Sequence, residues 1–381
     1  MKKNLIALAI FGAFSGAALA QSNVTLYGII DVNFQYNDPD GSGQSSTRGI
    51  NSGHQSGSRW GVRGSEALSP NLNAVFTIEG GYAPDLGTQL QGGRLFGRQA
   101  WAGLAGGWGT LVAGRVATFS AGTGSFDMFG NVDPFLTGFG DSSLGSTFTS
   151  AGALRLDNSV LYQSPTFGGF KVGAGYSFNG NGTEAAGSGN NNRIWFLGAN
   201  FARGPFFAAV TYDVFDTPDG GSAGSATTPA IFSNASDQKN LQIGATFDLK
   251  FLKIHGAYAK EDNVIYNVGL GIVGTAGEDA DAWMAGVTVP LLGGSVLGSY
   301  QKRSGDPVGV CLGTQTAAGA CSVALVTREA NRDVWAIGYT YPLSRRTNLY
   351  LNFSDSDGEN FLNNNIGVDR KQYTLGMRHL F

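Results

Sequence analysis

The feature of this chain that most restricts its fold is the way its connections sort into two lengths. Stretches of about nine to twelve residues with alternating polarity recur from end to end, the period-2 signature of strands with one apolar and one polar side. In the first, Val24, Leu26, Gly28, Ile30, Val32, Phe34 and Tyr36 share one side, and Thr25, Asp31, Asn33 and Gln35 share the other. Leu241, Ile243, Ala245, Phe247 and Leu249 oppose Gln242, Thr246, Asp248 and Lys250 in the same way, and Phe170 to Phe178 repeats the pattern. Tight links fall at Ser69 to Asn71, Ala105 to Gly107, Ser164 to Gly169, Arg203 to Pro205, Leu249 to Leu252, Pro290 to Gly294 and Pro342 to Arg346. Long polar links alternate with them: Asn37 to Gly57, Ala83 to Gly93, Val116 to Leu154, Asn179 to Asn192, Asp216 to Lys239, Asp262 to Ala280, Arg303 to Arg332 and Asp355 to Arg370. About eight long and about seven short links make about sixteen strands, with both termini at the short-turn end.

A soluble sandwich would not sort its connections so cleanly, because its apolar sides pack on a second sheet. A closed sheet in a bilayer predicts the sorting, the strand length and aromatic residues near strand ends. The expectation is an all-β fold: one sixteen-stranded antiparallel transmembrane β-barrel over residues 21–381, with short periplasmic turns and long external loops. Trp60, Trp101, Trp108, Tyr162, Tyr176, Phe201, Tyr258, Tyr339 and Tyr350 sit near strand ends, where an interfacial girdle belongs. The 59 glycines follow no collagen period and suit close backbone approach in a tilted sheet. Beyond the N-terminus, no apolar run approaches the ~18 residues of a membrane-spanning helix.

Residues 1–20 read as an export signal: Lys2 and Lys3, an apolar run from Leu5 to Phe14, then Ala18-Leu19-Ala20 as the cleavage site. The mature chain then starts at Gln21, which excludes cytoplasmic functions. Without those two lysines, 23 basic groups face 28 acidic ones, too mild a balance to argue for nucleic acid. Cys311 and Cys321, ten positions apart in a loop of an exported chain, are expected to form a disulfide.

The blocks "NVTLYGIIDV", "SRWGVRGSEALSPNLNAVFTIEGGY", "LFGRQAWAGLAGGWGTLVAGR", "RLDNSVLYQSPTFGGFKVGAGYSF" and "YTLGMRHLF" resemble Gram-negative general porins of the β-proteobacterial branch, across the whole mature chain. The resemblance implies a homotrimer of sixteen-stranded outer-membrane barrels, each with its own water-filled channel for ions and small hydrophilic solutes. It also implies that the third long loop folds inward as a constriction. A final aromatic residue, here Phe381, is by the same resemblance the signal read by the barrel-assembly machinery.

Length points to the same loop independently. Val116 to Leu154 is far longer than the ~12 to 15 residues at which an unstructured connection becomes suspect unless it has a function. It carries Asp127, Asp133 and Asp141 and no lysine or arginine between its flanking strands. Alternation predicts which flanking residues look inward. With Trp60 and Val62 turned to lipid, Arg59 and Arg63 face the lumen; with Trp101 outward, Arg98 does; with Val112 outward, Arg115 does; with Val160 and Tyr162 outward, Arg155 does. Arg59, Arg98 and Arg155 match the basic wall of the family, and Arg63 and Arg115 match it less securely. Glu79, inward by its own alternation, either completes the pore charge pattern or pairs with a neighbouring arginine. Permanently charged arginines facing loop carboxylates would set a transverse field in a narrow pore, with weak anion preference.

An outer-membrane enzyme would need a histidine beside a nucleophile, and His54, His255 and His379 lie in no such motif. A substrate-specific channel is the alternative function. Asp38 to Asp40 and Ser354 to Glu359 do not complete a calcium-loop spacing, although divalent ions could bridge loops to lipopolysaccharide. No metal site and no cofactor are expected. The last strand, with Tyr373, Leu375, Met377, His379 and Phe381 toward lipid and Thr374, Gly376 and Arg378 inward, should pair with Val24 to Tyr36 and close the sheet.

Overall fold

The computed structural model describes residues 23–40, 45–136, 138–148, 155–180, 182–184, 186, 191–216, 237–264, 267–268, 272–273, 278–306, 308–311, 325–328, 331–358 and 369–381. The export signal at 1–20 and Cys321 of the expected disulfide lie outside the described residues. Sixteen long strands form one antiparallel sheet closed on itself. In chain order they are β1 (Asn23–Asp40), β2 (Arg59–Ser69), β3 (Leu72–Ala83), β4 (Gln99–Gly106), β5 (Gly109–Ala117), β6 (Arg155–Gln163), β7 (Phe170–Ser177) and β8 (Arg193–Arg203). They continue as β9 (Phe206–Asp216), β10 (Gln238–Asp248), β11 (Lys253–Val264), β12 (Glu278–Leu291), β13 (Gly294–Gly305), β14 (Arg332–Pro342), β15 (Thr347–Gly358) and β16 (Asp369–Leu380). The tight links fall where the polarity pattern places them. At the turn between β8 and β9, Gly204 has φ +59, which suits a residue without Cβ.

The seam pairs β16 with β1 from Ile29↔Leu380 to Asp40↔Asp369. That register lies further along β1 than Val24 to Tyr36, because a barrel staggers its strands and polarity alternation leaves the shear open. The lower half of β1, Asn23 to Ile29, pairs with β2, and the upper half takes up a short strand, Thr47–Ser52. Phe381 extends the seam by exchanging two 3.1 Å backbone hydrogen bonds with Gly28. Its ring occupies the space a side chain at Gly28 would need, since a Cβ there would lie 2.2 Å from Phe381 Cζ.

Outward positions are apolar and exposed, as on Val24, Leu26, Ile30 and Phe34 of β1, while the inward Asp31 and Asn33 are buried. An aromatic belt rings part of the outer ends of the strands: Trp195 against Tyr212, Trp283 against Tyr300, Trp335 against Phe353, and Phe353 against Tyr373 at 4.7 to 5.5 Å. Two residues expected in the girdle are not in it. Trp101 is 9% exposed and packs inward on Phe126, and Tyr350 is 1% exposed and donates inward to Asp31. Val112, expected outward, is also inward at 1% exposure, with Leu111 exposed instead. All three touch or flank the inserted loop, whose apolar side chains make the inward environment apolar and invert the polarity rule.

Candidate pore constriction

The connection between β5 and β6 runs along the inside of the barrel. Its described part holds three 3₁₀ turns, Gly130–Val132, Gly140–Ser142 and Leu144–Ser146. Apolar side chains seat it on the wall. Phe119, Phe126 and Met128 pack with Trp101, Val112, Val116, Leu161 and Phe196. Phe129, Val132, Leu144 and Phe148 pack on Ala209, Ala257, Ala259, Ala282 and Met284, and Phe135 and Phe139 pack on Leu297, Ala336 and Tyr350. Each fully buried phenylalanine is worth about 1.5–3 kcal/mol, so the loop is held by burial over most of its length. Where the loop comes closest, the wall has glycine. A Cβ at Gly198 would lie 2.8 Å from Phe119 Cβ, and one at Gly244 would lie 2.4 Å from Val132 Cγ1. Polar ties complete the seat: His255 Nδ1 lies 2.9 Å from Val132 O, Ser120 Oγ donates to Asp213 at 2.5 Å, and Thr147 Oγ1 donates to Gln301 at 2.6 Å.

The basic side of the site gathers at the outer ends of β2 to β6. Arg98 donates from Nε to Glu79 Oε1 at 2.7 Å and from Nη2 to Thr123 Oγ1 of the loop at 2.9 Å. Glu79 Oε2 also accepts the Tyr27 hydroxyl at 2.9 Å, so of the two readings of Glu79 the geometry has the arginine pair. Arg98 reaches the lumen although Trp101 also points inward, because it precedes β4 and escapes that strand's alternation. Arg59 donates to Gly57 O at 2.8 Å, and Arg63 lies over the Tyr27 ring at 5.2 Å, exposed. Arg155 stands within electrostatic range of Arg98, Arg59, Arg115 and Glu79. Arg115 follows Gly114, where φ is +136 and the pairing of β5 with β6 shifts register. It donates to Gly97 O at 2.7 Å and to Asp157 Oδ1 at 2.5 Å, and Arg94 binds the same carboxylate. Arg115 thus shares with Arg94 an acidic partner that sequence reasoning missed.

The three loop aspartates do not form a row facing these arginines. Asp127 accepts the amides of Phe129 and Gly130, and burial, partly offset by these bonds, pushes its carboxyl up to about 6. Asp133 accepts the amides of Phe135 at 2.8 Å and Leu144 at 2.9 Å, bracing the loop from within. Asp141 binds Arg332 of β14 and Arg370 of β16. Burial pushes the Asp141 carboxyl up, but the two guanidiniums outweigh it and hold it below the usual range. Arg332 and Arg370 are legible by the same alternation test as Arg59, since both lie on the inward side at the outer ends of their strands. A further buried pair, Arg303 with Glu261, links β13 to β11. His54, in the link before β2, stacks on Tyr350 and meets Phe139 edge-on, and burial lowers it to about 4, leaving it neutral.

A closed sixteen-strand barrel with an apolar exterior, a charged interior and a loop folded into its lumen is a transmembrane channel. The family model for Gram-negative porins matches residues 5–360, and the chain belongs to that family. An outer membrane porin protein of Bordetella pertussis is 32% identical over 420 residues, covering 100% of both chains. Outer membrane porin protein 32 of Delftia acidovorans is 31% identical, covering 93% of this chain and 89% of its own length. Among solved structures, an anion-selective porin from Comamonas acidovorans superposes with a TM-score of 0.71 at 24% identity, covering 95% of this chain and 100% of that one. The protein is an outer-membrane β-barrel porin, a diffusion channel.

Proposed function

We propose that the channel passes ions and small hydrophilic solutes passively, with weak anion preference set by Arg59 and Arg155 beside the inserted loop. One observation carries the reading. The carboxylates beside the arginines of β2 to β6 are paired: Glu79 with Arg98, and Asp157 with Arg94 and Arg115. Arg59 and Arg155, by contrast, have no carboxylate within ion-pair distance among the described residues. The surplus near the constriction is therefore positive, and guanidinium charge persists at any physiological pH. The Comamonas porin, described as anion-selective, agrees with this sign. The field differs from an acid row opposing a basic row: Asp127 and Asp133 serve the loop's own backbone, and Asp141 is neutralised. The test is the zero-current potential of the reconstituted channel in a salt gradient. Anion preference supports the reading, and a clear cation preference overturns it.

The working unit is a homotrimer. On β2 to β6 the outward rows carry Val62, Ile78, Ala100, Ala102, Ala113 and Val160, small or aliphatic residues between the aromatics Trp60, Phe76 and Tyr162, whereas β8 to β16 carry the paired aromatic belt. Neighbouring copies cover this half, and lipid and lipopolysaccharide meet the belted half. Residues 1–20 direct export and are cleaved after Ala20, and the barrel-assembly machinery reads the strand ending at Phe381. No bond-making chemistry is assigned, since His54 and His255 are engaged in holding the loop. Three equal conductance steps, with gel mobility that changes on heating, support the trimer; single steps and monomer mobility overturn it.

A further inference from the structure

The carboxylate of Asp141 sits between two guanidiniums. Arg332 donates from Nη2 to Oδ1 at 3.2 Å, and Arg370 donates from Nε to Oδ2 at 2.8 Å and also from Nη2. The side chains of Asp141 and Arg332 are 9% and 6% exposed, and that of Arg370 is 34% exposed. Arg332 is further fixed by Ser356 Oγ at 3.0 Å and Ser146 O at 2.9 Å. One acid and two bases leave one net positive charge, and the open member that presents it to water is Arg370. The trio stands at the outer ends of β14 and β16, and Arg370 lies opposite Pro39 of β1 whereas Arg59 lies opposite Ile29, further down the same strand.

We propose that Asp141, Arg332 and Arg370 form a second charge-selecting station, in the outer vestibule and in series with Arg59 and Arg155. Asp141 acts there as a mask: it cancels one of two cations, and so sets how strongly the station favours anions. The adjoining loop is held by independent bonds, Phe139 N to His54 O at 2.5 Å, Gln301 Nε2 to Ser142 O at 2.7 Å and Asn352 Nδ2 to Ser142 Oγ at 2.9 Å. An uncharged amide at 141 therefore changes the station's charge while these ties keep its place. The inference rests on the passive, ion-selective reading above, but it does not require the whole channel to prefer anions.

The station's net charge can be set in steps. Arg370→Gln makes it zero, the native trio carries one, Asp141→Asn makes it two, and the double variant returns it to one. A unit charge about 8 Å from the ion path, in water at about 0.1 M salt, changes the anion-to-cation permeability ratio about twofold. Zero-current potentials of the four trimers should therefore rank Arg370→Gln lowest, Asp141→Asn highest, and the double variant level with the native channel. Steps should be about twofold and should shrink in concentrated salt. A loop merely loosened by the substitution would change conductance, and removing a second tie would not restore it. The proposal is overturned if Asp141→Asn has native selectivity in a channel of native conductance, or if the double variant fails to return. Should Asp141→Asn not assemble, Arg370→Gln decides alone, and a native ratio overturns the station. Cation preference in the native channel would instead sink the earlier reading while leaving this ranking intact.

Discussion

Substituting valine at Gly244 tests whether the width of the channel is set by how deeply the loop sits in its wall. A Cβ at this position would lie 2.4 Å from Val132 Cγ1 and 2.9 Å from Cγ2. Carbon atoms rest at about 3.5–4.0 Å, so more than 1 Å must be found for the first added carbon, and valine adds two more. The wall is the stiffer partner, because β10 is hydrogen-bonded along its length to β9 and β11. Val132 therefore gives way, by about 1.5 Å toward the axis, and overpacking of this kind costs about 1–3 kcal/mol, well within what the buried phenylalanines supply. For an opening of about three water diameters, ~8 Å, such a one-sided shift removes roughly a fifth of the area. Single-channel conductance in about 1 M salt, where charge effects are screened, should fall by about that fraction. Ala245→Val, one residue along on the outward side, should leave it unchanged. A Gly244→Val channel that assembles normally and conducts like the native one would refute the account of the seat.

Arg155→Gln removes a cation without a carboxylate partner and should lower the anion-to-cation permeability ratio about twofold in dilute salt, read from zero-current potentials. Glu79→Gln strips the buried Arg98 of its partner; breaking such a pair costs about 3–5 kcal/mol, so the trimer should dissociate and unfold at a lower temperature while anion preference rises. Deleting Phe381 takes away two seam hydrogen bonds and the ring over Gly28. Membrane levels of that variant should drop well below native while the conductance of the inserted fraction stays the same, and native levels would count against the role given to the last residue.

Strands, turns and the inserted loop were legible because each rests on a local regularity: period-2 polarity, short polar links, and one link too long to be a simple connection. Orientation failed at Trp101, Val112 and Tyr350 for one physical reason. Polarity reports a residue's environment, and beside the loop the interior is as apolar as lipid. The direction of Arg59 followed from alternation, but its freedom from a carboxylate depends on which strands the curvature brings together. The same holds for Arg115, whose counter-charge, Asp157, lies 42 positions away. The loop aspartates were the least legible. Whether a carboxylate faces water, a guanidinium or its own backbone is decided by a few dihedral angles in a segment without periodicity, and Asp127 and Asp133 turned to the backbone.

The far end of the loop is fastened to both ends of the chain. Arg370 of the last strand holds Asp141, and Tyr350, against which Phe139 packs, donates to Asp31 of the first strand at 2.6 Å. These contacts exist only once the two edges of the sheet have met. A barrel caught before closure thus has a wall but no finished narrowing, and would leak solutes that the mature channel screens. Sieving is a property the molecule acquires at the final step of its own assembly, and a measurement of solute exclusion during refolding would time the joining of first strand to last.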